Sequence, residues 1–382
     1  MKQVPPTAGI KDTGRAVALY MAIEMSAKIW RLAFGDGSLK TRQVEVEALD
    51  YASLFEEIAR AKQKLHLPAT ARMVSLYEAG RDAFEPHRAL VAKGIENLVV
   101  DSSSIQVDRR KKQVKTDRLD ADRLLLQLIR YDQGEKSILR VVRVPTRDEE
   151  DARRLAREIE RIKKERTALT NRIGGQLAGV GLRRPKKMPL LKLLESLDEL
   201  RLFDGAPLPA NLRAELERSC ERYKLVIAQI RGLERAAREL AAKPKTALDQ
   251  KVAKLQLLKG VGNRGATILA GEFGWRQFRN RKQVAACAGL CGTPYDSGES
   301  RRDQGISKAG NRRVRTLMIE ISWFWLRYQP DSALAQWWKR RFATGGTRTR
   351  RVGIVALARK LLIALWRFME HGVIPEGAQL AA

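Results

Sequence analysis

The chain is short of sulfur, imidazole and acid. Its 382 residues include three cysteines and three histidines, and 44 acids stand against 73 lysines and arginines. So few cysteines exclude a disulfide framework and suit a reducing cytoplasm. Cys287 and Cys291 are close in sequence, but no second Cys/His pair is near and His66, His87 and His371 are scattered, so no zinc site is expected. Long apolar runs are missing too. The longest near the end, Leu361 to Trp366, is far below the roughly 20 residues of a membrane span. The start carries no apolar signal segment; residues 1–15, with Pro5 and Pro6, read as a disordered lead-in.

What is abundant is positive charge. The net charge is +29, spread along the whole chain rather than gathered on one amphipathic helix. That favours a polyanion partner, nucleic acid before a membrane surface. Apolar residues make up 44%, enough for sizeable cores, and the length allows two or three domains.

Residues 16–145 read as a mixed sheet flanked by helices. Val17 to Glu24, Lys28 to Phe34 and Gln43 to Val46 are strand-like, with a hairpin at Gly35-Asp36-Gly37; Arg72 to Tyr77 and Glu96 to Val100 alternate with helices at Tyr51 to Leu65 and Ala83 to Lys93. A further helix opens at Asp117. Asp117 and Asp120, three apart, share one helical face, as capping acids or as partners for a cation. Glu24 and Glu78 fall at strand ends. Four acids from three segments at such positions fit a two-metal phosphoryl-transfer site, the layout of ribonuclease-H-like nucleases and junction resolvases.

Residues 146–250 read as a helical arm. Asp148 to Leu177 is heptad-like, Leu190 to Leu202 is amphipathic, and Leu212 to Ala242 is a second long helix, the long pair packing as an antiparallel hairpin or a dimer coiled coil. Residues 251–382 read as helical. Gly260 and Gly262, between two apolar stretches, resemble the turn of a helix-hairpin-helix that offers backbone N–H groups to phosphate. Cys291 to Ser300 reads as a polar loop presenting Ser297. Cations follow it: Arg301, Arg302, Lys308, Arg312, Arg313 and Arg315. A glycine-flanked serine beside such a cluster suits a nucleophile for phosphate, or simply a loop serine next to a DNA-binding patch. Further basic patches are Arg109, Arg110, Lys111, Lys112 and Lys115, and Arg183, Arg184, Lys186 and Lys187. Thr344 to Arg351 reads as a flexible basic loop before a last helix, Val352 to His371.

Three groups of residues carry a family resemblance. They are Tyr77-Glu78-Ala79-Gly80; Lys115-Thr116-Asp117-Arg118-Leu119-Asp120-Ala121; and, from Leu257 to Leu317, Gly260-Val261-Gly262, Ala288-Gly289-Leu290, Ser297-Gly298 and Ser307-Lys308-Ala309-Gly310-Asn311-Arg312. The chain resembles a DEDD transposase of the insertion-sequence 110/1111 family, the bridge-RNA-guided serine recombinases. The resemblance covers most of residues 18 to 330.

It implies a RuvC-like domain, a coiled-coil arm and a carboxyl-terminal transposase domain with a catalytic serine. Carried over, Glu24, Glu78, Asp117 and Asp120 would bind Mg²⁺ or Mn²⁺, and Ser297 would form a phosphoserine bond to DNA. The partners implied are donor and target DNA, a non-coding guide RNA and further copies of the chain, as a dimer or tetramer. No membrane is implied, and the location is cytoplasmic, at the nucleoid when active. Glu24 departs from the family, which normally has aspartate there; glutamate is one methylene longer. The rival readings are a metal-dependent junction nuclease with no covalent step, or a nucleic-acid-binding protein whose catalysis is weakened.

Overall fold

In a computed structural model the described residues are 17–38, 41–80, 84–105, 117–183, 189–297 and 300–381; the side chains of 103, 117–119, 194, 296–297 and 300–303 lie outside the description. The lead-in, Arg109 to Lys115, and Arg184, Lys186 and Lys187 fall outside it. The chain divides into two compact units, Met1–Pro145 and Thr146–Ala382.

The first unit is built on an apolar strand, β1 (Ala18–Met25), buried on both faces until Glu24. β2 (Ile29–Gly35) and β3 (Thr41–Glu47) continue from it as an antiparallel meander. After α1 (Tyr51–Lys64), β4 (Arg72–Glu78) pairs parallel with β1; after α2 (Glu85–Ala92), β5 (Glu96–Val100) pairs parallel with β4. The sheet order is β3-β2-β1-β4-β5. Alternation divides the side chains between two cores. Leu19, Met21 and Ile23 pack with Trp30, Leu32 and Phe34 beneath Leu54 and Ile58 of α1 and Leu90 of α2. Tyr20, Ala22, Ala33, Val74 and Leu76 face α3 (Asp117–Asp132), which fills the other side with Ala121, Leu124, Leu125 and Leu128. Ala22 and Ala33, fully buried and small, let that helix lie close to the sheet.

The second unit opens with α4 (Arg147–Asp151), started by a capping box between Thr146 and Glu149. α5 (Arg154–Gly179) follows. The heptad-like stretch from Asp148 is therefore two helices, broken at Ala152-Arg153. The break coincides with packing: Arg153 is buried over the Trp275 ring, 5.3 Å from its centroid, and Gly271 lies in van der Waals contact with the Ala152 carbonyl. α6 (Leu190–Glu195) leads to α7 (Ala210–Ala242). α5 and α7 form an antiparallel pair: Ile162 and Leu169 meet Val226 and Ile230, while Ile173 and Leu177 meet Leu216 and Cys220. Lys163 bridges to Glu234 at 2.6 Å.

α8 (Ala247–Gln256) and α9 (Gly262–Leu269) are joined by a glycine turn, and a π-helical turn, Ala270–Gly274, follows. After α10 (Arg281–Cys287) come β6 (Gly292–Ser297) and β7 (Ser300–Ile306), an antiparallel hairpin. The expected loop is thus a strand pair, its residues Thr293 and Tyr295 being good strand formers. α11 (Arg312–Tyr328), α12 (Ala333–Phe342) and α13 (Thr347–His371) complete the unit. The expected basic loop is mostly the first turn of α13, which starts five residues earlier than its apolar stripe suggested. Leu255, Phe273, Val314, Ile321, Trp325, Leu361 and Leu365 lie at the centre of the core. Among the described residues no helix is long and apolar enough to cross a membrane.

Candidate nucleic-acid and catalytic site

β1 and β4 carry their first acids at their carboxyl ends. Ile23 stands beside Tyr77 in the parallel register, so Glu24 and Glu78 occupy the next position along adjacent strands. By parity both follow the residues that face α3. The direction of α3 is fixed at its far end. Asp132 accepts from Tyr20 Oη at 2.8 Å and from Arg72 Nη1 at 2.7 Å, and Arg72 is the first residue of β4. The helix therefore runs antiparallel to β1. Asp120 lies about 18 Å back along it, comparable with the ~13 Å from Tyr20 to Glu24.

Glu24, Glu78 and Asp120 thus share one sheet edge and one face. Glu24 and Asp120 are half-buried and Glu78 is exposed. Asp120 accepts from Arg123 at 3.5 Å. Asp117 is the first residue of α3, with its side chain outside the description. All four donors are carboxylate oxygens, the hard ligands that suit Mg²⁺. Among the described residues, however, no three of His, Cys, Asp and Glu stand close enough to hold an ion together. Glu24, Glu78 and Asp120 lie toward one edge of the sheet without forming a coordination shell.

In the second unit Ser297 is the last residue of β6, in register with Ser300 across the hairpin. Arg301 and Arg302 lie on β7 opposite Asp296 and Tyr295. The base of the hairpin is tied down. Ser307 N–H donates to the Cys291 carbonyl at 2.8 Å, Lys308 N–H to Gly289 at 3.2 Å and Asn311 N–H to Cys287 at 2.7 Å. Gly289 and Gly310 have φ of +63° and +103°; a Cβ on them would lie 2.0 Å from the Ala309 carbonyl oxygen and 2.4 Å from that of Cys287. The Ala288–Leu290 and Ser307–Arg312 motifs are therefore two halves of one interlocked base.

Beneath that base is a residue the sequence reading missed. Glu272, 4% exposed, accepts from Arg157 Nε and Nη2 at 2.6 and 3.0 Å and from Asn311 Nδ2 at 3.0 Å, with Arg313 Nη1 at 3.5 Å. Burial pushes its pKa up, but the Arg157 hydrogen bonds and charge, with Asn311 and Arg313, hold it below the ordinary carboxylate range. The same Asn311 caps α11 through Oδ1, accepting from Arg313 and Val314 N–H. A lone acid inside the apolar run Ile268 to Trp275 was the available signal.

The other candidates separate by role. Arg313 also donates to Glu160 at 3.0 Å, and Arg315 Nη1 donates to the carbonyls of Ala288 and Lys308, so both have internal partners. Lys308, Arg312 and Arg183 are exposed. Gly260 (φ +91°) lies against α11, with the Phe324 carbonyl 3.4 Å from where its Cβ would be. Gly262 (φ +65°) has open space around it.

Residues 252–337 match the transposase family IS116/IS110/IS902. A Sinorhizobium fredii protein carried under the transposase name y4rJ is 41% identical over 98% of this chain and 96% of its own length. The transposase for insertion sequence element IS1111A of Coxiella burnetii is 26% identical over 74% of each chain, and that for IS1328 of Yersinia enterocolitica is 27% identical over 60% of this chain and 66% of its own. The chain belongs to the IS116/IS110/IS902 family of transposases, enzymes of DNA transposition.

Proposed function

We propose that this transposase excises and inserts its element through a phosphoserine intermediate, with Ser297 as nucleophile. The serine oxygen forms a bond to a DNA phosphorus while the bond to a sugar oxygen breaks, and that oxygen leaves with a proton. Lys308 and Arg312, with Arg301 and Arg302 of β7, stabilise the charge that develops on the phosphate. The observation that carries the reading is the place of Ser297 at the end of a hairpin whose base is locked by Gly289 and Gly310.

The amino-terminal unit is read as RuvC-like, on the strength of its mixed sheet with acids at one edge. Glu24, Glu78, Asp117 and Asp120 would hold Mg²⁺ there, which when bound neutralises phosphate oxygens and organises proton transfer. Acids and serine lie in different halves of the chain, so both halves are required. A non-coding RNA that selects donor and target DNA by base pairing, and assembly of several copies, complete the proposal; the basic chain supplies contacts to nucleic-acid backbone.

The reaction is trapped with wild-type protein, denatured, and the DNA-linked peptide mapped. Attachment at Ser297, lost in Ser297→Ala while DNA binding persists, is the expected result. Attachment at Ser300 or Tyr295, or cleavage with no adduct, overturns the assignment, and the latter favours a hydrolytic nuclease.

A further inference from the structure

Between Asp331 and Glu370 the sequence has nine lysines and arginines and no acid. The structure folds this stretch into a tight corner, α12 followed after Ala343 by α13. A separate cluster, Trp338, Ile354 and Leu357 with Trp337 and Phe342 against it, holds the corner shut. The approach is so close that a Cβ on Gly353 would lie 2.5 Å from the Phe342 ring, and one on Gly345 2.6 Å from the Thr349 methyl. The corner is a rigid element with its own core.

Its cations divide into two sets. Arg350 Nε donates to the Gly345 carbonyl at 2.9 Å, Lys339 to the Pro330 carbonyl at 3.2 Å, and Lys360 lies 4.7 Å over the Trp337 ring. These brace the corner. Arg340, Arg341, Arg348 and Arg351 are exposed and, among the described residues, pair with no carboxylate. Arg348 and Arg351 stand in the first turns of α13, where the helix dipole favours anions and disfavours cations. They repel one another as well, and no acid offsets them. Four guanidiniums without a carboxylate partner, two of them at a helix start that disfavours cations, are held on a rigid frame and are explained by an anionic ligand.

We propose that the α12–α13 corner is a sequence-independent docking site for the phosphate backbone of double-stranded DNA, through Arg340, Arg341, Arg348 and Arg351. Two features select a duplex over a single strand. The frame is rigid, matching a backbone of regular spacing. The corner's own aromatic rings, Trp337, Trp338 and Phe342, are buried or half-buried in its core rather than offered to bases, whereas single-strand sites rely on stacking. The inference rests on membership in a DNA transposase family and is independent of the roles proposed for Ser297 and the carboxylates.

The test compares two full-length quadruple variants of equal charge. One carries Arg340→Gln, Arg341→Gln, Arg348→Gln and Arg351→Gln. The other carries Arg218→Gln, Arg222→Gln, Arg231→Gln and Arg235→Gln on exposed positions of α7. Binding to duplex DNA of unrelated sequences and to single-stranded RNA is titrated from 50 to 200 mM salt. In the corner variant, duplex affinity should fall alike for all sequences and the slope of log K against log salt should flatten by about 2 to 4, near 0.9 for each phosphate no longer neutralised. The α7 variant should keep the wild-type slope, and the corner variant's melting temperature should hold or rise. Equal weakening in both variants would show a bulk charge effect and overturn the site. Unchanged duplex binding by the corner variant, or weakening confined to single-stranded RNA, would overturn it as well.

Discussion

Arg72, at the first residue of β4, donates to Asp132, at the last residue of α3, through Nη1 at 2.7 Å and Nη2 at 3.0 Å. That contact, 60 residues apart in sequence, determines which end of α3 meets which end of the sheet. It thereby delivers Asp120 to the edge that carries Glu24 and Glu78. Its effect on the candidate site is indirect, through the position of a helix.

Replacing Asp132 with alanine should therefore do two things. Stability should drop by about 1–2 kcal/mol, since Arg72 keeps Glu96 but loses its two bonds to Asp132, and Tyr20 Oη loses its bond to the same carboxylate. Transposition should fall further than the melting temperature alone accounts for, because the helix is freed to shift. Denaturant unfolding and a recombination assay on the same preparation measure both; wild-type activity per folded molecule would count against this role.

Asp120→Ala should abolish recombination and leave the fold alone. Its hydrogen bond, to Arg123 at 3.5 Å, is a partly exposed pair of small value, so stability should change by less than about 0.5 kcal/mol. Removing one acid from an edge with several should if anything reduce repulsion. Recombination assays with the purified variant decide the matter, and retained activity would remove Asp120 from the site.

Acid should loosen the transposase unit through Glu272. Its folded pKa lies below the ordinary carboxylate value, so its contribution is present above about pH 4.5 and is lost as pH falls through the lowered value. Glu272→Gln should flatten that part of the stability–pH curve and cost about 1–2 kcal/mol at neutral pH, because Arg157 and Arg313 lose a counter-charge but remain partly solvated. A variant with the wild-type acid limb would show that other groups set it.

Gly310→Ala should destabilise by several kcal/mol. The residue combines φ of +103° with a carbonyl 2.4 Å from any added Cβ, and neither backbone segment can give way without breaking the Asn311–Cys287 hydrogen bond. Gly262→Ala, also at positive φ but with open space, should cost only about 1 kcal/mol. Thermal melts of the two variants side by side test the difference; equal shifts would mean that φ alone matters.

Strong periodicity was readable from sequence alone. β5 (Glu96–Val100) and α11 (Arg312–Tyr328) fall where alternation and the apolar stripe put them. The strand-end position of Glu24 and Glu78 was legible for the same reason, since a polar residue closes each apolar run. Three features were not. The β6–β7 hairpin is short and polar, so it carries no apolar alternation to read. The α4–α5 break packs against residues far along the chain, Gly271 and Trp275. Glu272 is invisible as a hub because its partners come from α5 and α11, and only folding brings Arg157 and Asn311 to it.

In the middle of the α5–α7 pair, Ile162 and Leu169 close on Val226 and Ile230 alone, so the length of that stretch is not tied to any other part of the core. α7 spans 33 residues, about 50 Å of helix. Taking one heptad from the middle of each helix keeps the facing apolar positions in step and shortens the pair by about 10 Å. The arm behaves as a ruler, and the distance it sets between its root and its tip can be reset in whole notches while the fold at either end stays as it is.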